Sequence, residues 1–353
     1  MMDGDRAIAQ KLVDWFYANQ RDLPFRHTKD PYHIWVSEIM AQQTRITALL
    51  PYYRTFMEMF PNIAALAAAD EAQLLKAWEG LGYYARARHL QAAAKQLVIC
   101  HGGQLPEDRQ ALLALPGIGA YTAGAILSIA FARPEPAVDG NVMRVMARID
   151  ANDGDIAKPA LKDWMAQRLR PMIPANDPGA FTQALMELGA LICLPREPRC
   201  ALCPVQTLCR AKAEGREKQL PVKEKKKPQR EEKRAVALLR DTKGRYLLRQ
   251  RGERLLHGLW EFPGFAGEGT EALKGLDLLG LEGIQWDWAL SASHTFTHIR
   301  WQMEAYFGQW PHEGEAPEGH CWADMAAMEQ LAIPSAFAKP LAWVRKREER
   351  EDG

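Results

Sequence analysis

The hydrophobic pattern of this chain changes its period once, and that change divides the molecule. Before Ala213 the apolar residues recur at helical spacing, as in Glu71-Ala72-Gln73-Leu74-Leu75-Lys76-Ala77-Trp78 and Phe181-Thr182-Gln183-Ala184-Leu185-Met186-Glu187-Leu188, which predicts helices throughout this half. Beyond Arg234 the period is two. Ile299, Trp301, Met303, Ala305 and Phe307 alternate with Arg300, Gln302, Glu304 and Tyr306, the signature of a half-buried strand. Val236–Arg240 and Arg245–Arg249, joined by Asp241-Thr242-Lys243-Gly244, predict a hairpin. Between the halves, Glu217 to Arg230 holds two prolines and many charges with almost nothing to bury, and reads as an exposed linker. A chain of 353 residues suits roughly two domains. The expectation is a multidomain protein, all-α first and α+β second, with no internal repeat joining them.

Composition excludes little. The chain is 47% hydrophobic and 25% charged, ordinary for a globular protein, and no apolar run approaches the length of a membrane span. Lysine and arginine number 45 against 44 acidic residues, so overall charge announces no nucleic acid, and any such partner must be argued from local sites.

Cys193, Cys200, Cys203 and Cys209 are separated by six, two and five residues. Four thiolates gathered this way suit tetrahedral zinc or a four-iron, four-sulfur cluster. Disulfides are the ordinary alternative, opposed by a count of six cysteines and by the lack of a secretory stretch behind Met1, which together indicate a reducing cytosol.

Leu115-Pro116-Gly117-Ile118-Gly119 lies between the predicted helices 107–114 and 120–132. Gly117 and Gly119 permit a tight turn whose amides, at the start of the next helix, suit a phosphate; the plain alternative is a helix-helix turn. About twenty residues on, Asp139 precedes the helical stripe Val142, Val145, Met146 and Ile149. It should cap that helix, and the amides and dipole there should keep its carboxylate ionised. Glu38 belongs to a helix opening at Asp30-Pro31, among Ile34, Trp35, Val36, Ile39, Met40 and Ala41. Such surroundings should strip its hydration and raise its pKa, unless it shares a solvated stripe with Gln42 and Arg45. One protonated acid and one ionised carboxylate can cleave a bond at an anomeric carbon.

Taken together, residues 35–44 (Trp-Val-Ser-Glu-Ile-Met-Ala-Gln-Gln-Thr), residues 80–87 (Gly-Leu-Gly-Tyr-Tyr-Ala-Arg-Ala), the Gly117–Gly119 turn, Val138-Asp139-Gly140-Asn141-Val142 and the four cysteines resemble the MutY adenine DNA glycosylases of the helix-hairpin-helix superfamily. The resemblance spans almost the whole chain. It implies a helix-hairpin-helix glycosylase domain over 1–212, built as a six-helix barrel module at about 23–132 and an iron-sulfur module from 1–22 and 133–212. A linker at 213–234, a Nudix-like lesion-recognition domain at 235–345 and a charged tail at 346–353 would follow. It implies one 4Fe-4S cluster on the four cysteines, an alkali or calcium ion at the helix-hairpin-helix, double-stranded DNA carrying adenine opposite 8-oxoguanine as partner, a monomer, and a bacterial, nucleoid-associated setting in the cytosol.

The same resemblance assigns roles. Glu38 would protonate adenine at N7 and Asp139 would stabilise the cationic sugar, supported by Tyr121 and Asn141. Gln43 and Tyr83 would wedge into the duplex, Gly117 and Gly119 would grip phosphate, and Arg21, Phe25 and Glu187 would line the adenine pocket; without it, these last three are a surface arginine, a core aromatic and a helix-surface glutamate. Endonuclease III enzymes carry a lysine where this chain has Tyr121, and a phenol cannot form the imine that drives strand cleavage. Gly258-Leu259-Trp260-Glu261-Phe262-Pro263-Gly264 resembles the entry to a Nudix fold, but the glutamate-rich helix that holds magnesium is missing from Phe265 to Gly283. Phe296, Thr297 and His298 match the lesion-reading Phe-Ser-His turn, Phe296 as wedge and the other two as polar contacts. Thr297 stands for the usual serine and adds a methyl group at the lesion's edge, whereas Ala41 for leucine and Phe25 for tryptophan leave less apolar volume against the purine at about 0.8 kcal/mol per lost methylene. Competing expectations are a glycosylase-lyase for oxidised pyrimidines and a metal-stapled DNA-binding scaffold without catalysis.

Overall fold

Helices begin where the sequence supplies caps. Asp30 accepts from the Tyr32 amide at 2.8 Å and Pro31 opens helix Pro31–Ala41, while Asp108 and Asp139 cap Arg109–Leu113 and Gly140–Ile149 through the Ala111 and Val142 amides. Each satisfies an amide that a helix start leaves open. The computed structural model describes residues 2–224, 229–312 and 314–351. They form two compact units, Met1–Ala68 with Arg88–Lys225, and Ala69–Ala87 with Lys226–Gly353. Among the described residues no helix is long and apolar enough to cross a membrane.

In the first unit, helices Met2–Asn19, Gly140–Ile149, Pro159–Leu169 and Pro178–Leu191 share one core, filled by Leu12, Phe16, Val142, Met146, Met165, Phe181 and Leu188. The expected apolar stripe on Gly140–Ile149 is buried there. Helix Ala120–Ile129 follows the turn at Gly117 and is buried along most of its length. Leu220, inside the segment read as linker, is also buried; its carbonyl accepts from Arg148 and that of Val222 from the Ile156 amide. The linker is thus partly fastened to the helical unit, because one leucine found a buried seat that charge counting missed.

The second unit is a mixed sheet flanked by short helices. Its strands are β1 (Arg230–Arg240), β2 (Tyr246–Gln250), β3 (Trp260–Glu261), β4 (Gly264–Ala266), β5 (Trp286–Thr295), β6 (Ile299–Gln309) and β7 (His320–Ala323). The main order is β3-β2-β1-β6-β5, with β4 on β1 and β7 on β2. The hairpin expected at 236–249 is present, with Asp241 accepting from the Lys243 and Arg245 amides in its turn. β1 starts earlier than expected, because Arg230 to Arg240 pair in parallel with Ile299 to Gln309. Backbone pairing does not require apolar side chains, so the charged start of β1 was indistinguishable from linker. The alternation on β6 holds for Trp301, Met303, Ala305 and Phe307, which face one core, while Tyr306 reaches a second core on the other side with Leu239, Leu273 and Leu276. Most of the stretch taken as a charged tail is the end of helix Ala338–Glu351, where Glu348 binds Arg240 and Tyr246. Of the run Lys223 to Lys227 within the segment read as linker, residues 225–227 lie outside the described residues.

Glu261 is fully buried between Arg249 and Arg251, with two contacts of 2.8 and 2.7 Å from Arg251. Its removal would strand Arg251, itself 4% exposed. Glu261→Leu should cost about 3–5 kcal/mol in denaturant unfolding of the full chain, and Glu261→Leu with Arg251→Leu should recover most of it; a single variant as stable as wild type would show that the pair is solvated.

Candidate active site

The residues singled out in the helical half meet in one open cleft of about 1540 Å³, lined by Arg21, Phe25, Glu38, Gln43, Gly117, Gly119, Tyr121, Asp139, Asn141 and Glu187. Four elements build it. Helix Pro31–Ala41 buries Ile34, Trp35, Val36, Ile39 and Met40 and leaves Glu38 facing the cleft. The neighbouring Ala120–Ile129 supplies Tyr121, whose hydroxyl donates a hydrogen bond to Glu38 Oε2. Burial pushes the Glu38 carboxyl up to about 7; the Tyr121 hydroxyl pulls it down, the Asp139 charge pushes it up, and Arg26 pulls it down. Burial and the two carboxylates hold the Tyr121 phenol well above its ordinary value, so Tyr121 remains a donor.

Asp139 caps its helix as expected. Oδ1 accepts from the Val142 amide at 2.7 Å and Oδ2 from Asn141 Nδ2 at 2.9 Å. Burial raises the Asp139 carboxyl, and the Val142 and Asn141 hydrogen bonds with the Arg144 charge oppose that rise. The cap sits at the wall of a deep cleft, where lost hydration outweighs the helix amides.

Asn141 is held in turn. A Cβ on Gly189 would come 2.6 Å from Asn141 Cβ, so a bare backbone there is what lets helix Pro178–Leu191 approach. Arg144 donates to Asn141 Oδ1 at 2.9 Å, to the Gly189 carbonyl at 2.7 Å and to the Cys193 carbonyl at 2.7 Å. A continuous line of hydrogen bonds therefore runs from Asp139 to the first cysteine.

Glu187 is 1% exposed, so it is not a helix-surface glutamate. Arg21 grips it with contacts of 2.8 and 2.6 Å, and Arg26 with contacts of 3.2 and 2.7 Å. Burial alone would raise its pKa, but the two guanidiniums more than offset this and hold it at about 2. Phe25 stands edge-on to Tyr53, centroids 5.4 Å apart.

At the turn, Gly117 has φ of +77° and a Cβ there would meet His89 Cβ at 2.7 Å; both facts demand glycine. Gly119 is extended at φ −94° and caps the next helix, so its bare Cα leaves space rather than permitting the turn. Gln43 is exposed with φ of 60°.

Cys193, Cys200, Cys203 and Cys209 are free thiols lining one small cavity with Val145, Arg148 and Ile149. Burial pushes Cys203 up to about 12, with the charges of the other three adding to the rise. Arg148 Nη1 lies 3.2 Å from the Cys193 sulfur and also binds the Leu194 carbonyl. Among the described residues no group of three or more His, Cys, Asp or Glu is placed to hold a single metal ion.

Tyr83, Phe296, Thr297 and His298 belong to the second unit. Thr297 and His298 are exposed at the tip of the β5–β6 hairpin, closed by the Phe296 amide on the Ile299 carbonyl at 2.8 Å. Tyr83, at φ 49°, sets its hydroxyl 3.1 Å from that of Thr297, and Gln229 donates to the Phe296 carbonyl.

Residues 36–171 match the HhH-GPD superfamily base excision DNA repair protein model, and residues 235–343 match the NUDIX domain. The human adenine DNA glycosylase is 33% identical over 400 residues, which cover 94% of this chain and 73% of the relative. The chain belongs to the adenine DNA glycosylase family. The adenine DNA glycosylase of Buchnera aphidicola subsp. Acyrthosiphon pisum is 29% identical over 96% of this chain and 98% of its own. Among solved structures, a thermostable thymine-DNA glycosylase aligns over 60% of this chain and 98% of its own, with TM-score 0.55 and 27% identity. A non-covalent endonuclease III–DNA complex has TM-score 0.52 at 22% identity over 61% of this chain and 98% of that one, which shows a shared fold.

Against this family frame, Arg26, Arg144 and Arg148 are the residues that reading the sequence missed. A signal existed for two of them: Asn141, Arg144 and Arg148 fall on one face of a helix, in a segment otherwise buried.

Because Glu38 titrates at about 7 when folded against an ordinary 4.5, its charge costs stability. The sign follows from linkage: nothing is lost below about 4.5, and the cost grows until pH has passed the folded pKa. At about 1.4 kcal/mol per unit it reaches up to about 3 kcal/mol. Glu38→Gln should therefore raise the melting temperature at pH 8 and leave it unchanged at pH 4. Melts across that range check this; an equal gain at both ends would assign the effect elsewhere.

Proposed function

We propose that this protein is a base-excision repair enzyme that hydrolyses the N-glycosidic bond of adenine in double-stranded DNA where adenine lies opposite 8-oxoguanine or guanine, leaving an abasic site. The observation that carries the chemistry is a carboxyl at the base of the cleft, Glu38, pushed to about 7 beside a second carboxylate. A group with that pKa is both populated as the acid and able to release its proton near neutral pH.

A base inside a duplex must leave the stack to reach the cleft. There, Glu38 donates its proton to N7 of adenine, the Tyr121 hydroxyl steadies the carboxylate that results, and the C1′–N9 bond breaks to release neutral adenine and a cationic sugar; water then adds at C1′ and gives a proton back to Glu38, which leaves the abasic site. Asp139 faces that charge, its oxygens aimed by the Val142 amide and Asn141, as developing charge requires. Phe25, Arg21 and Glu187 form the wall for the purine, with Glu187 fixed as an anion by its arginines. The Gly117 and Gly119 amides hold backbone phosphate, together with an alkali or calcium ion. Gln43 and Tyr83 fill the space left in the duplex, and Phe296, Thr297 and His298 read the damaged partner base. The enzyme works as a monomer.

The cysteines would hold one 4Fe-4S cluster. Four free thiols around a cavity fit such a core, whereas a single zinc draws its sulfurs to about 2.3 Å. When bound, the cluster supplies a rigid staple for residues 193–209 and so for the Arg144 contacts. Likeness to endonuclease III in fold keeps a lyase for oxidised pyrimidines as the second reading; Tyr121, a phenol held protonated, opposes it because it offers no amine for an imine.

A single-turnover assay with adenine opposite 8-oxoguanine, guanine and thymine, alongside iron and sulfide analysis, tests the proposal. Base release should fall roughly tenfold per pH unit above about 7 as Glu38 loses its proton, and Asp139→Asn should lower it by about 10²–10³-fold. Borohydride should trap no covalent complex at the rate of base release. A duplex that is bound while its adenine stays attached would leave only the scaffold reading.

A further inference from the structure

Trp301 is buried directly beneath the hairpin tip, and more groups converge on it than packing alone needs. Its indole N–H donates to Glu232 Oε2 at 3.1 Å. The Arg234 guanidinium lies 4.4 Å and that of Arg251 5.3 Å from the ring centroid. Arg251 is itself fixed by Glu261 and the Leu255 carbonyl, and Arg234 by the Gly264 carbonyl. Against this ring stands Phe296, edge-on with centroids 4.8 Å apart and an interplanar angle of 71°. Cations favour the face of an indole, and aromatic pairs favour an edge-to-face approach, so the indole's plane determines where the Phe296 ring can rest. The Nudix-like stretch 258–264 thereby acquires a use unrelated to hydrolysis: through Glu261 and Arg251 it anchors the platform.

We infer that Trp301 is a positioning residue for lesion recognition: held by Glu232, Arg234 and Arg251, it sets the angle at which Phe296 meets the base opposite adenine, and thereby the preference for 8-oxoguanine over guanine. The inference rests on the reading of Phe296, Thr297 and His298 given above. It concerns discrimination, not the bond-breaking step.

The test is the ratio of single-turnover adenine release opposite 8-oxoguanine to that opposite guanine, in the full-length protein. Trp301→Leu should lower this ratio about 3- to 10-fold, the scale of one lost aromatic pair, with release opposite guanine unchanged. Trp301→Phe, which restores a ring, should recover part of the ratio. Because Trp301→Leu opens a cavity at a buried site, Glu232→Met and Arg234→Met serve as a second pair: they remove the indole's acceptor and its cation while leaving the core filled, and should lower the ratio at a wild-type melting temperature. Folded variants that keep the wild-type ratio overturn the inference, as does a loss that merely follows melting temperature across the series. A wild-type protein with no preference for 8-oxoguanine overturns the underlying reading instead, and the inference with it.

Discussion

The hydrogen bond from Tyr121 to Glu38 joins two helices at the point where water has been removed, and the chemistry proposed for the cleft depends on the balance struck there. Burial drives the carboxyl toward its neutral form, and the phenol hydroxyl restrains that drive by favouring the anion. Without the hydroxyl the acid would hold its proton too tightly to transfer it near neutrality; without burial it would be ionised already. Asp139 enters the same balance, because its charge lifts Glu38 while its own hydration is sacrificed. Burial raises both carboxyls, and the hydrogen bonds each one accepts oppose it.

Support for the pair radiates outward through arginines. Arg144 connects Asn141 to the backbone at Gly189 and Cys193, and Arg148 reaches the Cys193 sulfur and the carbonyls that follow. The cysteine loop and helix Gly140–Ile149 are therefore tied together by donors with fixed geometry. A second fork, Arg21 and Arg26 on Glu187, makes an anion that cannot accept a proton at physiological pH.

Much of this was legible in the sequence because caps and periodicity act locally. Asp30 and Asp139 cap the helices they announce, the alternation from Ile299 to Phe307 gives a strand with its apolar face buried, and Glu38 sits on a helix buried as its neighbours imply. What escaped was long-range. Glu187 looks like any polar residue on a helix until Arg21 and Arg26, more than 160 positions away, close on it. Arg230 to Arg234 look like linker until the parallel partner at Ile299 to Met303 is present. The pKa of Asp139 needed the depth of the cleft, which no local pattern encodes.

Residues 69–87 lie early in the chain but belong to the unit completed by its last third. Lys76 donates to the Leu331 carbonyl and Glu79 accepts from the Ile333 amide, separations of 255 and 254 positions. At roughly 5–20 residues per second of synthesis, this segment emerges on the order of ten seconds or more before its partners exist. The Lys76 and Glu79 contacts can therefore close only after the last third of the chain has emerged, so this stretch joins its unit late in synthesis.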